Sequence, residues 1–399
     1  MMNLLFVDDE ARVLQGLQRQ LRFMRQEWNM NFVEGGHQAL EFMAANPVDI
    51  IVSDMMMPGM DGSQLLLEVV QRHPQTVRIV LSGHAEREAI MRLVGPAHQY
   101  LSKPCDPVEL RQAITDALAL RDLLGNERLK QLTTQIKHLP TLPTLQSQFT
   151  EELRKDSPSI DRIGEIISRD IGMTAKILQL VNSAFFGLAQ PVNNPTEAVS
   201  YLGLNTIHSL ALSVGIFSQY DQKICKSFSL EVLANHSWTT GMMARRIAQR
   251  EKQELKTLDK CLLAGMLHDV GQLVLAFGLS EEYAEVIARA KAENTPIWSV
   301  EQQTFGASHA EVGAYLLGLW GLPGPIIEAL ACHHQPTRAS TKGFSPALAV
   351  HAADVFAHQF AVVNTEMPAP KLDLPYLQRT GFAEHAAMWA EDCEELLKV

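Results

Sequence analysis

Two sets of side chains have the types and spacing to do chemistry. Asp8 and Asp9 follow the apolar run Leu4-Leu5-Phe6-Val7, and Asp54 ends the run Ile50-Ile51-Val52-Ser53. Carboxylates brought together at the ends of neighbouring strands repel one another, and the usual remedy is a hard divalent cation such as Mg2+ bound through oxygen. Ser82 follows Val77–Leu81 and offers a hydroxyl, while Lys103, before Pro104, offers an ammonium. These are the parts needed to place a phosphoryl group on a carboxylate: a nucleophile, a metal site and fixed positive charge. The second set lies downstream, where His268-Asp269 are adjacent and His333-His334 form a pair. Imidazole and carboxylate are ligands for Fe, Mn or Zn.

The elements that must hold these groups fall into two kinds. Through about residue 121, the apolar runs Leu4–Val7, Asn31–Val33, Ile50–Val52, Val77–Leu81 and Gln99–Leu101 alternate with segments of helical period. That predicts a five-stranded, doubly wound parallel sheet in the order 2-1-3-4-5, whose function gathers at the carboxyl ends of the strands. Gly125-Asn126 stops a helix, and Leu129, Leu132, Ile136 and Leu139 then recur at helical spacing. This predicts a linker helix over 122–138 between a first domain at 1–121 and an all-α domain at 139–340. A helical extension over 341–399 completes the chain, with one helix at Ala347–Phe360 and a final acidic one.

At 399 residues the chain suits more than one core, and 46% hydrophobic with 20% charged residues is the composition of a globular protein. The Met1–Asp9 segment lacks the basic head of a signal peptide, and Ala347–Val363, the nearest approach to a membrane span, is interrupted by His351, Asp354, His358 and Gln359. Cys105, Cys225, Cys261, Cys332 and Cys393 are scattered without a C-x-x-C pair, which fits a reducing cytoplasm. The net charge of -11 provides no field toward nucleic acid or an anionic membrane, and no recognition-helix motif stands out.

Taken together, Asp8, Asp9, Asp54, Ser82 and Lys103, each at a strand end, resemble the receiver domain of two-component response regulators, a flavodoxin-like fold. The resemblance implies that Asp54 is the phosphoacceptor and that Asp8 and Asp9, with Asp54 and the backbone carbonyl of Met56, organise Mg2+. It also implies that Ser82 senses the phosphoryl group, that Lys103 pairs with it and that Tyr100 is the aromatic switch. Met57-Pro58-Gly59-Met60-Asp61-Gly62 matches the loop after the acceptor. A sensor histidine kinase is the implied partner.

From about Leu139 to His334 the chain resembles the HDOD domain, a family related to the HD phosphohydrolases. The matches are Ile166-Ile167-Ser168-Arg169-Asp170-Ile171-Gly172-Met173, Val181-Asn182-Ser183-Ala184-Phe185-Phe186-Gly187, Ala198–Gly203, Leu267-His268-Asp269-Val270-Gly271 and Ser308-His309-Ala310-Glu311-Val312-Gly313. His236, His268, Asp269, His309, His333, His334 and Asp354 stand in the chain order of HD-type metal sites, so the resemblance implies seven ligand candidates; a carboxylate among them bridging two such ions could generate a hydroxide that attacks a phosphodiester. Departures are plain: Gln272 stands where many HD hydrolases carry Lys, Gln335 follows the His pair in place of Glu, and no Gly-Tyr-Pro follows. A His-Asp pair on a buried helix can equally be a hydrogen-bonded core pair.

The expectation is therefore a phosphorelay response regulator whose HDOD domain binds a downstream protein. The alternative is a phosphorylation-gated, metal-dependent phosphodiesterase of the HD type, with a cyclic dinucleotide as candidate ligand. The apolar stripe from Leu110 through Leu139 would serve a homodimer or pack on its own chain. Tyr201, Trp238, Trp298 and Trp320 are either pocket walls or core.

Overall fold

The structure, a computed structural model, describes residues 1–82, 96–121, 123–136, 139–155, 157–182, 188, 191–209, 218–219, 228–361 and 368–398. Strands β1 (Met2–Val7), β2 (Trp28–Val33), β3 (Ile50–Asp54), β4 (Val77–Ser82) and β5 (Gln99–Ser102) form one parallel sheet in the order β2-β1-β3-β4-β5, as the alternation predicts. Their near-continuous apolar runs reflect burial on both faces. Leu5, Val7, Ile51, Val80 and Tyr100 point to one side, against the helices Gly36–Ala45 and Gly62–Arg72. Leu4, Phe6, Ile50, Val52, Ile79, Leu81 and Leu101 point to the other, against Ala11–Gln20 and Pro107–Arg121. A one-residue slip in any strand would exchange these faces, so the two cores fix the register that brings Asp8 and Asp54 to one edge.

Among the remaining described residues the elements are helical apart from one detail that the pattern does not predict: Pro140–Thr141 (β6) pairs in parallel with Ser218–Gln219 (β7). The Ile171–Val181 helix is buried along its whole length. Asp170 caps it by accepting from the Met173 N–H at 2.9 Å and ties in β6 by accepting from the Leu142 N–H at 2.7 Å. In this part of the motif, capped core helices are what the structure shows; Ser183–Gly187 lie outside the described residues. The bundle's centre is Leu230–Arg250 against Leu255–Leu267, where Gly241 and Gly265 let the backbones meet: a Cβ on Gly265 would lie 2.7 Å from the Gly241 Cα. Leu255–Gly278 has the length and composition of a membrane span, contrary to the sequence expectation that no such stretch exists, yet 83% of that window is buried inside this bundle.

The chain after 340 is not peripheral. The Pro346–Phe360 helix packs on Leu230–Arg250, Leu255–Leu267 and Gly324–Cys332, and its residues 346–357 are all buried. The segment expected as a linker contains the helix Glu127–Gln135, which begins at Asn126, whose side chain accepts the N–H groups of Arg128 and Leu129. Leu110, Ile114, Ala117, Leu120, Leu124, Leu129 and Leu139 are buried within the chain's own core, so this stripe is used internally. Lys137 and His138 lie outside the described residues. The four described cysteines, Cys105, Cys261, Cys332 and Cys393, are unpaired, and Cys225 lies outside.

The two parts share a polar junction that no spacing announced. Arg78 of β4 is 1% exposed, and its guanidinium donates to the carbonyls of Thr76 (2.9 Å), Pro96 and Thr134 (2.7 Å). Thr134 lies in the last turn of Glu127–Gln135, where carbonyls lack partners of their own and a cation is favoured. His98 accepts the Arg78 backbone N–H on Nδ1, which leaves its Nε2 proton for the same Thr134 carbonyl at 3.1 Å. Gln179 of the buried helix donates to the His98 carbonyl at 3.3 Å. Burial pulls the Arg78 pKa down to about 9. Arg78→Met keeps the stem but strips three buried carbonyls of a donor. Each such loss costs about 1–3 kcal/mol, so urea unfolding should show a destabilisation of about 3 kcal/mol, whereas an unchanged midpoint would mean that the junction is not a structural tie.

Candidate functional site

At the sheet's carboxyl edge, parallel pairing of Val7 with Ser53 sets Asp8 beside Asp54. Both are buried, and Asp54 is 6% exposed. Lys103, just past β5, donates to Asp8 Oδ2 at 2.7 Å and pairs with Asp54 Oδ1. Asp54 Oδ2 accepts the Met56 N–H at 3.0 Å, and Asp8 Oδ1 accepts the Glu10 N–H at 2.9 Å. Asp9 is exposed beside them. Burial raises the Asp54 pKa, opposed by the hydrogen bond and charge of Lys103. For Lys103, burial works against the charge, but the hydrogen bonds and charges of Asp54 and Asp8 outweigh it and raise its pKa.

Gly62 makes this geometry feasible. A Cβ there would lie 2.2 Å from the Asp54 carbonyl oxygen, so only glycine lets the Gly62–Arg72 helix start against the acceptor strand; the capping box of Asp61 and Gln64 fixes that start. Tyr100 is buried in the apolar cluster with Val80 and Ala97, and burial raises its pKa. The backbone of Ser82 ends β4 opposite Ser102, while its side chain and the following Gly83 lie outside the description.

The second set converges fully. His236 comes from Leu230–Arg250, His268 and Asp269 from the junction of Leu255–Leu267 with Val270–Gly278, His309 from the first turn of His309–Leu319, His333 and His334 from the end of Gly324–Cys332, and Asp354 from Pro346–Phe360. Asp269 is central. Its Oδ1 lies 3.0 Å from His309 Nε2 and 3.7 Å from His333 Nε2, and its Oδ2 lies 3.3 Å from His268 Nε2 and 3.8 Å from His236 Nε2. Asp354 Oδ1 lies 3.1 Å from His236 Nε2, and its Oδ2 lies 3.9 Å from His334 Nδ1.

Helix ends decide which nitrogen faces inward. His268 and His333 each follow the last residue of a helix, where the carbonyl three residues back has no helical partner. Each imidazole supplies one: Nδ1 lies 2.7 Å from the Gly265 carbonyl and 2.7 Å from the Leu330 carbonyl, respectively. The proton is thus on Nδ1 and the Nε2 lone pair points into the cluster. His268 Nε2, His333 Nε2 and Asp269 Oδ1 are buried without a hydrogen-bond partner. Electron-rich atoms aimed at one another suit a cation between them, and the donor set of imidazole and carboxylate fits a transition metal. The residues divide into Asp269, His309, His333 and His334 on one side, and His236, His268 and Asp354 on the other, each group compact enough to share one ion. Burial lowers the pKa of His333 to about 3, keeping it in the neutral form that a ligand needs.

Sequence reasoning missed two participants. His358, one helical turn after Asp354, places Nδ1 3.0 Å from Asp354 Oδ1, a partner that i, i+4 spacing could have flagged. Glu301 accepts from His309, and nothing in the spacing marks it. Above the cluster opens a cleft of about 670 Å³ whose walls include Gln272, Lys291, Trp298 and Lys371. Trp298 stacks on His334 at 5.8 Å, whereas Trp320 is buried and Tyr201 exposed.

The response regulator receiver domain family matches residues 4–115, and the HDOD domain family matches residues 139–336. The chain joins a response regulator receiver domain to an HDOD domain. Among curated relatives, an uncharacterized protein of Treponema pallidum is 27% identical over 207 residues, 51% of this chain and 39% of that protein. The hydrogenase transcriptional regulatory protein HoxA of Cupriavidus necator is 31% identical over 176 residues, 41% of this chain and 36% of HoxA. The chain thus spans under two fifths of the length of these relatives. The crystal structure of the MmoQ response regulator from Methylococcus capsulatus shares the fold, with a TM-score of 0.50 and 23% identity over 63% of this chain and 98% of that one. A receiver domain implies Mg2+ binding in general and a cognate histidine kinase as the kind of partner. Asp354 and His358 lie beyond the stretch that the HDOD family matches, so the cluster is completed by the helix after it.

Gly271 is the steric pivot of the cluster: a Cβ there would lie 1.9 Å from the His309 carbonyl oxygen. Gly271→Ala should cost at least about 2 kcal/mol in urea unfolding by overpacking. A variant as stable as wild type would show that the close approach of these two helices is not required.

Proposed function

We propose that Asp54 accepts a phosphoryl group from a histidine kinase and that its phosphorylation controls the HDOD domain, which acts by binding a protein partner. The observation that carries this is the Lys103 ammonium spanning Asp8 and Asp54 at the strand ends. In the transfer, the phosphorus–nitrogen bond to the kinase histidine breaks as a bond to an Asp54 oxygen forms. Asp8, Asp9, Asp54 and the Met56 carbonyl would hold Mg2+, which neutralises charge on the transferring oxygens. Lys103 offsets the repulsion between Asp8 and Asp54 beforehand and then pairs with the phosphoryl group. Ser82 and Tyr100 carry the change to the rest of β4 and β5, and the route outward runs from β4 through Arg78 to Thr134 of the connecting helix.

A small phosphodonor such as acetyl phosphate should add one equivalent of base-labile phosphate in Mg2+, none after chelation with EDTA, and none in Asp54→Asn. Label retained by Asp54→Asn would contradict the assignment.

A second reading rests on the unpartnered atoms of the cluster. His236, His268, Asp269, His309, His333, His334 and Asp354 would hold two ions of Fe, Mn or Zn with Asp269 between them. A phosphodiester such as a cyclic dinucleotide would then enter the cleft beside Lys291 and Lys371, cations that stand near Gln272 where the expected lysine is missing. Elemental analysis of protein purified without chelator or affinity metal should find up to two equivalents, lost in both His268→Ala and Asp269→Ala. A folded, metal-free wild type would leave the HDOD domain as a binding scaffold.

A further inference from the structure

Glu301 is wholly buried in the Ile297–Phe305 helix, and neither reading above gives it a task. Its Oε2 accepts both the backbone N–H of His309, at 2.7 Å, and the Nδ1–H of the same residue, at 2.7 Å. Its Oε1 accepts the hydroxyl of Tyr283, itself 0% exposed, at 2.9 Å. Two contacts to one residue fix both the position and the ring plane of His309, and the third prevents the carboxylate from turning.

We propose that Glu301, braced by Tyr283, is a positioning residue that makes His309 the strongest imidazole donor of a two-metal centre; this rests on the metal reading of the cluster. The comparison lies within the site. His268 and His333 give their Nδ1 protons to neutral peptide carbonyls, whereas His309 gives its proton to a carboxylate. An ionised acceptor pushes electron density through the ring to Nε2 and strengthens it as a ligand. That Nε2 lies 3.0 Å from Asp269 Oδ1 and 2.9 Å from His334 Nε2, so three donors meet at one point.

Charge points the same way. Asp269, Asp354 and Glu301 are three buried carboxylates, and among the described residues no Lys or Arg forms an ion pair with any of them. Their partners are imidazoles, His358 on Asp354 and His309 on both Glu301 and Asp269, so the cluster is electron-rich enough to take up a metal cation. Glu301 touches neither ion: it works through His309.

Titration of the full chain with Co2+, followed by visible absorption and by unfolding of the metal-free protein, tests this. Glu301→Gln keeps an oxygen acceptor for His309, removes the charge and turns an NH2 donor toward the Tyr283 hydroxyl, which can accept it. It should unfold like wild type when metal-free, bind Co2+ about 10–100-fold more weakly and shift the Co2+ bands. Tyr283→Phe, which leaves the carboxylate in place, should weaken binding severalfold in the same direction and keeps the test alive should Glu301→Gln not fold. Wild-type affinity and bands in both variants would overturn the proposal and make Glu301 a packing residue. Failure of wild type itself to bind Co2+ would overturn the metal reading on which it rests, a result visible before any variant is made.

Discussion

The carboxylate of Asp269 sits in the middle of a helical core with histidine nitrogens facing both of its oxygens. A charge so placed is expensive to bury, and the charges and hydrogen bonds of His268 and His309 hold its carboxyl well below the usual carboxylate range. The architecture around it follows from that constraint. Glycines at 241, 265 and 271 bring the helices close enough for their side chains to converge. Two helices end on histidines whose Nδ1 atoms satisfy terminal carbonyls and whose Nε2 atoms are thereby aimed inward. Pro346–Phe360 closes the far side with Asp354 and His358.

The receiver solves a similar electrostatic problem by other means. Its two buried aspartates share one lysine close to solvent, where Mg2+ and a phosphodonor have access. The two sites belong to one continuous fold: the face of the sheet carrying Leu4, Phe6 and Ile79 shares its apolar core with the HDOD helices, and Arg78 ties β4 to the connecting helix. A change in β4 therefore has a physical neighbour to act on. Lys176 adds to this junction. Buried over the Trp320 ring at 5.1 Å and donating to Gln179, it has its pKa lowered to about 7 by burial. Below that value the core must hold a buried ammonium, and the fold gains stability as pH rises from there toward the ordinary lysine range.

Much of this was legible in the sequence for identifiable reasons. Strand order and the placement of Asp8, Asp54 and Lys103 followed from apolar runs ending in polar residues, because a parallel sheet exposes only its strand ends. The seven ligand candidates downstream were found through their chain order, and the structure brings all of them together. What spacing could not convey was direction. Nothing in the sequence says which nitrogen of His268 or His333 bears the proton, since that depends on carbonyls left over at helix ends. Glu301 and Arg78 escaped notice because a buried charge and a solvated one look alike in a sequence. Trp298, read as pocket wall or core, borders the cleft, and β6–β7 was too short to leave a pattern.

The proposal on which most depends is that the lone pairs converging around Asp269 would hold two metal ions. The most direct measurement is anomalous X-ray diffraction from crystals of the full chain grown without chelator, recorded across the Mn, Fe and Zn absorption edges. Two anomalous peaks flanking the Asp269 carboxylate are expected, each about 2.0–2.2 Å from its nitrogen and oxygen ligands. No anomalous peak, with His268 Nε2 and His333 Nε2 instead hydrogen-bonded to ordered water, would contradict it.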